Sequence, residues 1–234
     1  MATYITPSLL YTPPTGSGIV TYISPTVTTT SLYSTSTAGS NSYTIPSGVS
    51  GIYVVISGGG GGGGASASGY ASGGAAGAVA QGYFAVTPGQ EYTINIGTGG
   101  AGYSASADGD GKTGGSSTFV LGSTTLLTAA GGTGGNDSET EAASAGPFSG
   151  YGGSPQVGNG DGGNSIYSGG AALNPSGSGP LAGGGGGGYF GAGAAGNDTT
   201  LSPPVGGTSA GGGGSYEDYG TSGGPGACII YQVA

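Results

Sequence analysis

The stretch Ile52-Tyr53-Val54-Val55-Ile56-Ser57, followed at once by seven glycines at 58–64, carries the decision about the fold. The first six residues are β-branched or aromatic apart from the last, which is strand composition. The glycines allow two readings. One is a flexible linker. The other is a segment packed so closely against its neighbours that no side chain would fit. Further runs follow at 183–188 and 211–214, and 62 of the 234 residues are glycine, against roughly 7% in average proteins. The runs recur, and each is entered or left through ordered-looking sequence, which favours packing. A polyproline-II-type conformation suits such a run, with three residues per turn, ~3.1 Å rise and no internal hydrogen bonds. At that rise residues 58–64 span ~20 Å. Their N–H and C=O groups must then be satisfied by neighbouring segments. No strict Gly-X-Y period appears, so a collagen triple helix is not expected.

Working outward, the rest of the ordered signal is strand. Tyr43-Thr44-Ile45 precedes the turn Pro46-Ser47-Gly48. Strands are predicted over 78–86 and 92–96, flanking the turn Thr87-Pro88-Gly89-Gln90. In the second of these Tyr92, Ile94 and Ile96 alternate with Thr93 and Asn95, the period of a half-buried strand. Residues 118–121 and 124–129 enclose Gly122-Ser123 as a hairpin, and 228–233 form a last strand. No window has helical period, and glycine disfavours helix. The expected class is all-β with irregular parts and no α-helix. A small β-sandwich-like sheet is continuous with a glycine-rich bundle. Residues 1–40, rich in Thr, Ser, Tyr and Pro, read as an extended attachment segment, and 41–234 as the glycine-rich domain.

Charge excludes several functions. The chain has one Lys or Arg, no histidine and a net charge of −9. Binding a phosphate backbone needs several cationic side chains, so nucleic acid is excluded as a partner. So is docking on anionic lipid. No apolar run approaches ~20 residues, so no membrane insertion is expected. No signal peptide is recognised, and lone Cys228 makes no intrachain disulfide. Residues 1–90 hold no charged residue or histidine, and all ten acids lie from Glu91 onward. Two readings stand: coverage by partner chains, or a surface solvated by Ser and Thr.

The ordered combination resembles a known family. It runs Tyr43-Thr44-Ile45-Pro46-Ser47-Gly48-Val49, then the strand and seven glycines, then Val86-Thr87-Pro88-Gly89-Gln90-Glu91-Tyr92-Thr93-Ile94-Asn95-Ile96-Gly97. Gly114-Gly115-Ser116-Ser117-Thr118-Phe119 follows, and Gly223-Gly224-Pro225-Gly226-Ala227-Cys228-Ile229-Ile230-Tyr231 closes it. Over residues 41–234 this resembles the glycine-rich domain at the distal ends of bacteriophage tail fibres, and the tip adhesins of T-even-type phages. The resemblance implies a virion protein of the tail fibre that binds a host cell-surface receptor, an outer-membrane protein or a glycan. Loops on a rigid polyglycine-II scaffold would make the contacts. It also suggests a homotrimer, and residues 1–40 docking on other fibre proteins. The loops would fall at 65–73, 101–112, 136–151, 167–181, 189–205 and 215–221. Their aromatic residues are the receptor-contact candidates: Tyr70, Tyr103, Phe148, Tyr151, Tyr167, Tyr189, Phe190, Tyr216 and Tyr219. Each ring could equally pack on the bundle.

Apparent catalytic motifs do not hold together. Gly207-Thr208-Ser209-Ala210-Gly211 fits G-x-S-x-G, but a chain without histidine lacks the usual base. Gly111-Lys112-Thr113 lacks the upstream glycine of a phosphate loop. Gly97-Thr98-Gly99-Gly100-Ala101-Gly102 fits a dinucleotide fingerprint with no helix to follow. Asp108-Gly109-Asp110-Gly111 lacks the glutamate of a calcium loop, Phe119 standing in its place. Gly131-Gly132-Thr133-Gly134-Gly135-Asn136 resembles a calcium-binding repeat once, without its acid. Glu139/Glu141 and Glu217/Asp218 read as solvated acids rather than a glycosidase pair. No enzyme activity, catalytic residue, metal site or cofactor is expected. The alternatives to an adhesin are a non-adhesive virion structural protein, as head decoration or fibre component, and an ice-binding or surface-matrix protein.

Overall fold

Period-two alternation and β-branched composition produce strands in the computed structural model, which describes residues 30–66, 71–104, 108–137, 182–196, 206–216 and 219–233. Strands β1 (Ser31–Thr35), β10 (Ala227–Gln232), β3 (Gly51–Ser57) and β5 (Val79–Ala85) form one antiparallel sheet in that order. Strands β2 (Gly39–Thr44), β6 (Glu91–Ile96), β7 (Ser117–Leu121) and β8 (Thr124–Ala129) form a second. A short parallel pair joins β4 (Ala65–Ser66) to β9 (Ser215–Tyr216). The described residues contain no helix, as the sequence predicts, and the fold is all-β.

The two sheets enclose one core. Ile52, Val54 and Ile56 of β3 and Cys228 and Ile230 of β10 meet Tyr92, Ile94 and Ile96 of β6 and Phe119 of β7. Tyr92 and Phe119 stack with ring centroids 4.7 Å apart and planes 7° apart. Each large side chain so buried contributes about 1.5–3 kcal/mol. The predicted turns form: the hairpin residue Gly122 has φ 58°, which a side chain would strain. β1 lies N-terminal to Asn41, yet it pairs along β10, and Leu32 and Tyr33 pack on the core. Residues 1–29 lie outside the described residues.

Beyond the sheets the period changes from two to three. Residues 58–64 run straight on from β3 as a central strand. Gly58, Gly61 and Gly64 donate their N–H to Ala78, Ala75 and Ser72. Gly59, Gly62 and Ala65 donate to Gly115, Lys112 and Gly109. Gly60 and Gly63 donate to Gly224 and Thr221. Partner numbers fall as donor numbers rise, so these three neighbours are antiparallel. The carbonyls face three parallel neighbours. Gly59 and Gly62 accept from Gly132 and Gly135, Gly60 and Gly63 from Gly100 and Tyr103, and Gly61 and Gly64 from Gly212 and Ser215.

Six segments thus surround the central one, and they also bond to each other in a closed ring. Around the ring they run 72–78, 130–136, 109–115, 97–103, 220–226 and 209–215. This is hexagonal packing of threefold extended strands, with up and down alternating around the ring. Residues 182–188 and 191–196 add an outer layer against 71–74 and 211–214. The arrangement tolerates no side chain at the centre. A Cβ on Gly61 would lie 1.9 Å from the Thr133 carbonyl oxygen, and one on Gly60 1.9 Å from that of Ala210.

Most bundle strands are the same pieces of chain as the sheet strands. β3 enters 58–64, β6 enters 97–103 and β8 enters 130–136, while 72–78, 109–115 and 220–226 lead into β5, β7 and β10. At this junction serine hydroxyls satisfy amides that neither pattern reaches. The N–H of Ala227 donates to Ser57 Oγ at 3.1 Å, and that of Gly97 to Ser117 Oγ at 2.9 Å. The hydroxyls of Ser57 and Ser209 share a further hydrogen bond.

Candidate functional site

Strand direction gives the molecule two unlike ends. The sheet end holds the tight turns at 45–50, 86–90 and 122–123, together with Thr30 and Val233, where the described chain begins and stops. At the opposite end the bundle strands give way to the connections 66–71, 103–109, 137–182 and 216–219. This loop end is the candidate site.

Its described side chains are aromatic, acidic and hydroxylic. Tyr103 donates its N–H to Gly63 at 3.1 Å, and its carbonyl accepts from Gly220 at 3.0 Å, which places Tyr219 next in line. The Tyr103 ring lies over Gly109, where a Cβ would meet the ring at 2.2 Å. A side chain at 109 would therefore have to displace the Tyr103 ring. Ser66 Oγ donates to Asp108 Oδ1 at 2.8 Å, and the N–H of Asp137 to Asp110 Oδ1 at 3.2 Å. Both tyrosines are half-buried, and Asp108 and Asp137 are exposed. Among the described residues, no group of three or more His, Cys, Asp and Glu side chains is placed to hold a metal ion. Such an end can offer ring faces and hydrogen-bond groups to a partner.

The sequence-derived candidates divide. Tyr103 and Tyr219 come together at the loop end. Tyr216 lies there too, in β9, by its backbone. Tyr70, Phe148, Tyr151 and Tyr167 lie outside the described residues, as do Glu139, Glu141, Glu217 and Asp218. Tyr189 and Phe190 sit elsewhere, at the turn between the outer strands, beside the sheets. Their rings meet edge to face at 4.9 Å. Burial first, and then Tyr83, Tyr189 and Tyr231, push the Tyr53 hydroxyl up to about 12. Part of the predicted loops is scaffold, since 101–103 and 109–112 are bundle strands.

Sequence reading missed a second aromatic feature. Tyr231, Tyr53 and Tyr83 stand opposite one another on β10, β3 and β5. Tyr53 stacks on Tyr83 at 4.4 Å and lies 6.3 Å from Tyr231. Each tyrosine sits at an outward strand position, which is legible, but their register appears only once the strands are paired. The G-x-S-x-G serine is accounted for as well. Ser209 is fully buried, with φ 64°, and its hydroxyl is bonded to Ser57, so it is a junction residue closed to substrate.

An all-β domain whose sheet strands extend into a glycine-packed bundle is thus defined by its own hydrogen bonds. The chain belongs to the glycine-rich domain family, whose model matches residues 35–232. A search of the curated proteins gives no match.

Proposed function

We propose that this chain is the receptor-binding tip protein of a bacteriophage tail fibre, an adhesin that works by contact without catalysis. The observation that carries the reading is the polarity of the molecule. The N-terminal side enters at the sheet end, where residues 1–29 would dock on the fibre. The described residues that lead into and out of the connections, with Tyr103 and Tyr219 among them, lie at the opposite end. Rigid aromatic side chains supply contact area at small entropic cost. Weak contacts from several copies on one particle add up through multivalency. The receptor would be an outer-membrane protein or a glycan.

A non-adhesive structural role in the virion is the second reading, favoured by the charge-free strands β1, β3, β5 and β10. Much of the uncharged stretch has an explanation within the chain, because 58–66 and 71–79 are buried in the bundle. Gold-tagged antibody raised to residues 136–151 and applied to intact virions separates the readings. Label at the fibre tips supports the adhesin. Label over the head or shaft replaces it with the structural role. Label on host cells and not on virions removes the phage reading altogether.

A further inference from the structure

We propose that this domain is a load-bearing link, built to carry tension along its long axis between the sheet end and the loop end. The inference does not depend on which particle or surface the chain serves. It rests on three features of the hydrogen-bond pattern.

First, the axis joining the two ends is the strand axis. Thr30 lies at the sheet end beside Gln232, whose N–H it accepts, and Asp137 lies where 130–136 reaches the loop end. A pull between them loads the ring and the sheets lengthwise. Second, the bonds lie across that axis. Every N–H from Gly58 to Ala65 donates sideways to one of three antiparallel neighbours, and the carbonyls of 59–64 accept from three parallel ones. A strand drawn along its length must shear these bonds together, since none stands first in line. Third, the junction is covalent. The sheets and the bundle share β3, β5, β6, β7, β8 and β10 as continuous chain, so tension crosses through backbone and not through a side-chain interface.

A pull between Thr30 and Val233 is the opposite case. Both lie at the sheet end, on antiparallel neighbours with Ser31 opposite Tyr231. That pull peels β1 from β10 one bond at a time. The fold is therefore mechanically strong in one direction and weak in another, and the strong direction runs from the attachment side to the loops.

Single-molecule pulling on the full chain tests this. Handles are attached through cysteines introduced as T30C with D137C, or as T30C with V233C. Native Cys228 is fully buried and its thiol is pushed up to about 12 by that burial, so it does not compete for the handles. Forced unfolding follows the unfolding barrier of the loaded direction, so the axial pair should rupture at a force at least ~2-fold above the terminal pair at one loading rate. Equal or reversed forces overturn the proposal. Exposed Ser104, also at the loop end, replaces Asp137 as the handle site if D137C does not fold. A second readout uses Gly61→Ala, which disturbs the bundle and spares the β1–β10 contact. It should lower the rupture force that follows the shearing of β1 from β10 in the axial geometry and leave the first rupture of the terminal geometry unchanged. An equal drop in both also overturns the proposal.

Discussion

Substituting Gly61 by alanine puts one methyl group where the bundle has no room. Gly61 lies mid-way along the central strand, and its Cβ would stand 1.9 Å from the Thr133 oxygen, 2.4 Å from its carbon and 2.9 Å from the Gly132 oxygen. Side-chain Cβ atoms do not approach closer than 3.0 Å, so the Thr133 carbonyl must retreat by more than an ångström. That oxygen accepts the N–H of Ala75 at 3.0 Å, and Ala75 is fully buried. Overpacking of this kind costs about 1–3 kcal/mol. Leaving the Ala75 amide without a partner adds about 1–3 kcal/mol. Alanine stiffens the unfolded chain, which offsets about 0.4–1 kcal/mol. The net expectation is a loss of about 3 kcal/mol, or roughly 6–12 °C in Tm for a chain of this size. Thermal melts followed by circular dichroism measure it. Ala101→Ser is the control: Ala101 is exposed on an outer strand, and its change should stay within about 0.5 kcal/mol. A Gly61→Ala protein that melts with the Ala101→Ser control would refute the close-packed bundle.

Three further expectations follow from particular contacts. Ser57→Ala removes the hydroxyl that serves Ala227 and Ser209 at the junction, and should cost about 1–3 kcal/mol in a urea titration; no loss would mean that the Ala227 amide and the Ser209 hydroxyl find other partners. A chain beginning at Ser36 lacks β1, uncovers β10 and gives up the packing of Leu32 and Tyr33. It should be about 2–4 kcal/mol less stable than one beginning at Thr30, and equal melts would make β1 dispensable. Burial raises the Cys228 thiol from 9.0 to about 12, and the folded state therefore holds the proton more tightly than the unfolded one. Stability from this group is complete below pH 9 and falls as pH rises towards 12. Tyr53, up from 10.0 to about 12, acts in the same direction. Urea midpoints at pH 7, 9 and 11 should fall only at the last step, and less so in Cys228→Ala.

The sheets were legible because their signals are local. Alternation at Tyr92, Ile94 and Ile96, the apolar run of β3, and turns marked by Gly48, Gly89 and Gly122 each follow from residues a few positions apart. β1 was obscured by its neighbours, since a Ser- and Thr-rich strand beside proline-broken sequence looks like more of the same. The bundle was legible in kind but not in detail. Segments such as Ala130-Gly131-Gly132-Thr133-Gly134-Gly135-Asn136 show their pattern only once their neighbours are known. Then Ala130 and Thr133 prove exposed, while Gly132 and Gly135 face the centre. In 130–136 a side chain followed by two glycines marks a strand of the ring, and the unbroken run 58–64 is the central strand. That code is short and repeats only twice in a strand, so it escapes a search for a long collagen-like period. The apparent nucleotide and calcium motifs at 97–102, 108–111 and 131–136 all fall on bundle strands or their ends. The loop end was legible as composition alone, because Tyr103 and Gly220, with Tyr219 beside it, are joined by a pairing that no local pattern encodes.

The closed ring also governs when the chain can finish folding. Among the described residues the central strand is the first bundle segment, and its last partner is 220–226, just before β10. Nearly all its bonds join residues far apart along the chain. Loop-closure entropy must be met before such bonds form, which makes this a high-contact-order topology and a slow one. A chain still emerging from the ribosome holds residues 58–64 with open positions around them until residues 220–226 have emerged. Completion therefore waits on residues 220–226, and removal of the segment 220–232 leaves the hexagon open along its whole length.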